Sequence, residues 1–92
     1  MKFELGTVVM TRGIADVIEK NVGFAKEVNE AFTKYQNCDW GITCKEDAEM
    51  NTEAVNNGDD RILAVYETCK GNIWIITEWD RSVTTILFPS EY

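Results

Sequence analysis

The sequence predicts an α+β fold: one domain over residues 1–92, with an N-terminal strand, two to three helices and a three-stranded antiparallel meander, about four strands in one sheet. Three observations predict it. The last third holds three runs rich in β-branched and aromatic residues, Arg61-Ile-Leu-Ala-Val-Tyr-Glu-Thr68, Asn72-Ile-Trp-Ile-Ile-Thr-Glu-Trp79 and Ser82-Val-Thr-Thr-Ile-Leu-Phe-Pro89, split by short polar breaks. Phe24, Val28, Ala31 and Tyr35 recur at helical spacing. With 92 residues, 45% of them hydrophobic, the chain can fill one modest core without disulfides or a metal.

In chain order, Phe3-Glu-Leu-Gly-Thr-Val-Val-Met-Thr11 reads as the first strand. Phe3, Leu5, Thr7 and Val9 then share one face, and Val8 and Met10 the other. Gly6 marks a bulge or a close backbone approach. Thr11-Arg12-Gly13 breaks the strand, and a short helix from Ile14 to Lys20 turns Val17 and Ile18 inward. Asn21 is placed to N-cap the next helix. That helix carries the Phe24–Tyr35 stripe, joined by Ala25 and Phe32, opposite Lys26, Glu27, Glu30 and Lys34. Residues 36–42 form a polar connection in which Trp40 is either a core plug or an exposed binding anchor.

Thr43-Cys-Lys-Glu46 has the spacing of a capping box, so a third helix starts here, runs to about Asn57 and stops at Gly58. Its apolar stripe is thin: Ala48, Met50, Ala54 and Val55. Residues 68–72 and 80–82 supply the two hairpin turns. On the middle strand Trp74, Ile76 and Glu78 face one way and Ile73, Ile75, Thr77 and Trp79 the other. Helices cover one of these faces, which leaves the Trp74 face as an interaction or dimer surface.

The net charge is −7, and it is unevenly placed. Between residues 39 and 60, seven acids (Asp39, Glu46, Asp47, Glu49, Glu53, Asp59, Asp60) stand against one base, Lys45, which accounts for six of those charges. This sign argues against direct nucleic-acid binding and suits a basic protein partner. Histidine is absent, which removes every Ser-His and Cys-His nucleophile pair. Cys38, Cys44 and Cys69, odd in number and without metal-ligand spacing, are expected as free thiols, so neither metal nor cofactor is expected. No apolar run approaches the ~18 residues of a membrane span. Met1-Lys-Phe-Glu-Leu-Gly6 places an acid and a glycine where a signal peptide needs an apolar stretch, so a cytoplasmic location is expected.

Glu78, Asp80 and Arg81 cluster around the second turn and could hold a phosphate or an acid–base couple, above all if Thr11 or Arg12 converges on them. The plainer expectation is that the Asp80 side chain initiates the turn while Arg81 pairs with a neighbouring carboxylate.

Asp39-Trp40-Gly41, the segment Asn56 to Leu63, the stretch from Ile73 to Tyr92, and the opening Lys2-Phe-Glu-Leu-Gly-Thr-Val-Val9 with Thr11-Arg12-Gly13 resemble a family of small "plasmid-related proteins" of Gram-positive bacteria. These sit on plasmids, integrative elements and phages. The resemblance covers most of the chain and implies residence on a mobile element, not an activity. Some relatives carry a restriction–modification subunit label, but this chain has no Asn-Pro-Pro-Tyr motif and no glycine-rich cofactor loop. Relatives have an acid after Asp-Trp-Gly where this chain has Ile42.

The expected function is therefore a non-enzymatic acidic protein-binding module, an inhibitor or mimic acting on a nucleic-acid-binding protein. Its candidate contact residues are Trp40, Glu46, Glu49, Glu53, Asp59, Asp60, Trp74, Glu78, Asp80 and Arg81. The alternatives are a homodimeric accessory protein and a small enzyme using Glu78, Asp80 and Arg81.

Overall fold

The computed structural model describes residues 2–92. The elements run β1 (Thr7–Met10), α1 (Arg12–Lys20), α2 (Val22–Gln36), α3 (Lys45–Asn57), β2 (Ile62–Thr68), β3 (Gly71–Thr77) and β4 (Val83–Leu87), closed by a 3₁₀ turn at Pro89–Glu91. One four-stranded sheet has the order β1-β4-β3-β2. β2, β3 and β4 form the antiparallel meander, and β1 joins its far side parallel to β4. The α+β expectation therefore holds, with three helices and four strands.

The helices pack on one face of the sheet. Ile62, Ala64 and Tyr66 of β2, Ile73 and Ile75 of β3 and Ile86 of β4 meet Phe24, Val28, Ala31 and Tyr35 of α2, with Ile14 of α1 and Ala54 of α3. Burial at this density is the main source of stability, since each fully buried Ile or Phe contributes roughly 1.5–3 kcal/mol. Asn21 ends α1 and starts α2: its N–H donates to the Val17 carbonyl (2.9 Å) and its side chain accepts from the Phe24 N–H (2.9 Å).

Three expectations need correction. First, β1 begins at Thr7, not Phe3. Gly6 sits at φ +64°, and a Cβ there would collide with the Arg81 and Ser82 carbonyls, so only glycine fits. This left-handed residue resets the alternation. Phe3 and Leu5 enter the core, while Val8 and Met10, partnered by Thr84 and Ile86, point to the same side at the sheet's rim.

Second, Thr43 does not cap α3. The N-cap is Cys44, which makes no side-chain capping bond. The Thr43 hydroxyl donates instead to the Trp40 carbonyl and accepts from the Val65 N–H (2.9 Å). Third, the inward stripe of α3 is shifted: Met50 is exposed and Asn51 is buried. The Asn51 amide explains this. Its Nδ2 donates to the Leu63 carbonyl (2.8 Å) and its Oδ1 accepts from the Leu63 N–H (3.2 Å), as a neighbouring strand would.

Candidate functional site

The residues singled out in the sequence fall into two groups, one exposed along α3 and one bound into the scaffold. Glu46, Glu49 and Glu53 are exposed on α3 and spaced three and four apart, so they form one row along the helix. Asp47 flanks that row and shares a shallow groove of about 120 Å³ with Met50, Asn51, Asp60, Arg61 and Leu63. Glu46 and Asp47 lie in the first turn, where the helix dipole favours them. At the other end Gly58 caps the helix, and the exposed Asp59 and Asp60 follow. The acids thus crowd α3 and the segment after it on two flanks, Glu49 and Glu53 beside the groove at Trp40 and Asp47 and Asp60 beside the groove at Leu63.

Arg81 is half-buried, and its guanidinium faces carbonyls rather than carboxylates. Nη1 donates to the carbonyls of Asp60 (2.6 Å), Glu78 (3.2 Å) and Trp79 (3.2 Å), and Nη2 to that of Ala54 (2.9 Å). The expected ion pair with Glu78 or Asp80 is replaced by a clamp that stitches the β3–β4 turn to the Ala54 carbonyl in the last turn of α3 and to the Asp60 carbonyl beyond it. Arg81 itself lies at φ 60°, a conformation that this clamp holds in place.

Asp80 behaves as the turn required: its carboxylate accepts from the Ser82 N–H (3.0 Å), and Ser82 holds its pKa below the ordinary value. Glu78 is exposed beside it. Thr11 and Arg12 do not converge on this turn. The Thr7 N–H bonds the Ser82 carbonyl while the Thr11 N–H bonds that of Ile86, so Thr11 lies at the opposite end of β4. The cleft needed for an acid–base site is not formed by these residues.

Trp40 is a plug and not an anchor. It is 7% exposed, packs edge-on against Tyr35 and donates its indole N–H to the Thr52 hydroxyl (3.2 Å). The rest of Asp39-Trp40-Gly41 serves the same seat: Asp39 accepts from the Gly41 N–H (3.1 Å), and Gly41, at φ +63°, lies where a Cβ would strike the Tyr66 ring. Trp74 is half-buried on the sheet face away from the helices. The Tyr92 ring packs edge-on against it, and the Tyr92 hydroxyl accepts from Arg61 Nη1 (2.8 Å). Because Leu63 pairs with Ile76 and Val65 with Trp74, Tyr92 spans the sheet above Ile76, which is buried.

The sequence reading missed Trp79. Alternation assigned it to the core face, but β3 ends at Thr77 and Trp79 is 66% exposed. The signal that could have found it is its place next to the Asp80-Arg81-Ser82 turn, beyond the strand pairing. Arg81 bonds the main-chain carbonyls of both Trp79 and Asp60, which brings the backbone that carries this exposed aromatic next to the Asp60 segment.

The three cysteines are free. Cys69 Sγ–H and N–H both approach Glu27, which lowers the Glu27 pKa and raises that of Cys69. Among the described residues there is no group of three or more His, Cys, Asp or Glu side chains that could hold a metal ion, and no helix is long and apolar enough to cross a membrane. Comparison with protein-family models, curated proteins and solved structures finds no match.

Proposed function

We propose that this chain is a non-enzymatic, acidic protein-binding module that docks on the basic surface of a nucleic-acid-binding protein. The observation that carries the reading is the exposed row Glu46-Glu49-Glu53 on α3, with the exposed Trp79 in the turn that Arg81 ties to Asp60. Carboxylates spaced along a rigid helix can occupy sites where a partner's Lys and Arg side chains hold phosphates. An exposed tryptophan such as Trp79 becomes, once a partner covers it, the kind of aromatic anchor on which interface affinity usually depends. The resemblance to plasmid-related proteins would place this activity on a mobile element. The enzyme alternative loses support because the Arg81 guanidinium is engaged by main-chain carbonyls.

The test is capture from host-cell extract by the tagged chain at low and raised salt, repeated with the Glu46→Gln/Glu49→Gln/Glu53→Gln triple variant and with Trp79→Ala. A nucleic-acid-binding partner should be held at low salt, released at high salt and lost with either variant, while far-UV circular dichroism stays unchanged. Capture that survives the triple change removes the acidic helix from the interface.

A further inference from the structure

The two edges of the sheet are treated differently. The β2 edge is closed: Asn51 takes both main-chain groups of Leu63, Thr43 takes the Val65 N–H, and the Ile42 N–H bonds the Val65 carbonyl (2.9 Å). The β1 edge is open. Val8, Val9 and Met10 are 44, 41 and 45% exposed, and no charged residue stands between Thr7 and Thr11. Under its inner side runs an apolar groove of about 260 Å³ lined by Val8, Met10, Ile18, Val28, Phe32 and Ile86. Uncharged, apolar open edges invite pairing with another chain, and β1, though only four residues long, carries none of the charges or prolines that guard such edges.

We propose that β1 pairs antiparallel with β1 of a second copy of this chain, joining two four-stranded sheets into one across a two-fold axis at Val9. The register follows from the hydrogen bonds already made. The Thr7 and Thr11 N–H groups donate to β4 (3.1 and 3.0 Å), so by the strand's period of two Val9 also turns its main chain toward β4, while Val8 and Met10 turn theirs outward. Val8 of one copy then faces Met10 of the other and exchanges both N–H···O=C bonds with it, twice by symmetry. Val9 meets its own copy as a close, non-hydrogen-bonded pair.

Charge selects a second copy over a foreign strand. The neutral strand is flanked by Glu4 on one side and Arg12 on the other, both exposed. The antiparallel register sets each copy's Arg12 opposite the Gly6 end of the other, toward its Glu4. The acidic helix α3 packs on β2, the opposite edge of the sheet, so this approach keeps the two acidic helices far apart. A basic partner would be drawn to α3 instead and gains nothing at an uncharged edge.

Sedimentation equilibrium of the full chain tests this. The wild type should form a dimer in a concentration-dependent way. Val9→Lys and Val9→Glu should each weaken it at least about tenfold, because like charges then stand directly opposite. Mixed one to one, the two variants should dimerise again, since the axis at Val9 sets Lys against Glu. Without any variant, the Val8 and Met10 amides should gain hydrogen-exchange protection as concentration rises. A wild type that is monomeric up to about millimolar concentration, an unchanged Val9→Lys dimer, or a mixture that stays monomeric would overturn the proposal.

Discussion

At the scale of single residues, the side chains that matter most are polar ones in apolar surroundings. Thr84 Oγ1 donates to the Leu5 carbonyl (2.7 Å), which can only accept, so Thr84 accepts from Thr77 (2.8 Å) and Thr77 from Tyr35 (2.7 Å). The direction of this buried chain of hydroxyls is thus set by its last member. Burial raises the Tyr35 pKa and keeps the phenol protonated as the first donor. Asn51 is the other case. Asn51→Ala strands both main-chain groups of Leu63 and should lower the unfolding free energy by about 1–3 kcal/mol. The neighbouring Met50→Ala, at an exposed site, should change it by less than about 0.5 kcal/mol. Urea unfolding compares the two, and equal stabilities would mean that water replaces the amide at no cost. Neither role was legible in the sequence, because Asn51 and Met50 differ by only one helical position and hydropathy assigns the inward place to methionine.

At the scale of elements, several secondary structures are finished by a residue from far along the chain. The clearest example is α1. Glu91 accepts from the Thr11 hydroxyl (2.6 Å) and the Phe88 N–H (2.9 Å) through Oε1, and from the Gly13 N–H (3.2 Å) through Oε2. The carboxylate therefore lies at the helix N-terminus and pins the closing 3₁₀ turn to it. Its pKa is lowered, first by the Thr11 hydroxyl and then by the Phe88 N–H. A lowered folded value means that this docking is complete above the ordinary 4.5 and is lost as pH falls through the folded value. Amide resonances of Gly13 and Phe88 should thus shift together on acidification below 4.5, and not in Glu91→Gln. Independent titration of the two amides would show that one carboxylate does not hold both. The capping box at Thr43–Glu46 illustrates why such contacts escape local reading: the spacing is present, but the Thr43 hydroxyl bonds Val65 of β2 instead.

At the scale of the whole molecule, the acidic helix and the uncharged open edge lie at opposite ends of one sheet, α3 by β2 and the edge at β1. The two proposed interfaces should therefore answer to salt differently. Capture of a basic partner through Glu46, Glu49 and Glu53 should weaken as salt rises from about 0.05 to 0.5 M, through screening of attraction. Dimerisation through β1 should change little over the same range, because the paired strand carries no charge and the acidic helices stand far apart. Sedimentation and capture measured in the same buffers would separate them, and parallel slopes would mean that both use one surface.

The sequence by itself determined the fold class, the three-stranded meander, the stripe of α2, the caps at Asn21 and Gly58, and the exposure of the acidic row. All of these follow from period, propensity and local hydrogen bonding within a few residues. Only the tertiary structure decided that β1 lies parallel beside β4, that Trp40 is buried while Trp79 is exposed, and that Arg81 clamps carbonyls. It also decided that one sheet edge is closed and the other open. The physical reason is that these outcomes depend on which groups meet across 12 to 80 residues of chain, as Asn51 meets Leu63 (12 residues apart), Arg81 meets Ala54 (27 apart) and Thr11 meets Glu91 (80 apart). A side chain's type constrains what it can bond, but its partner is chosen by packing.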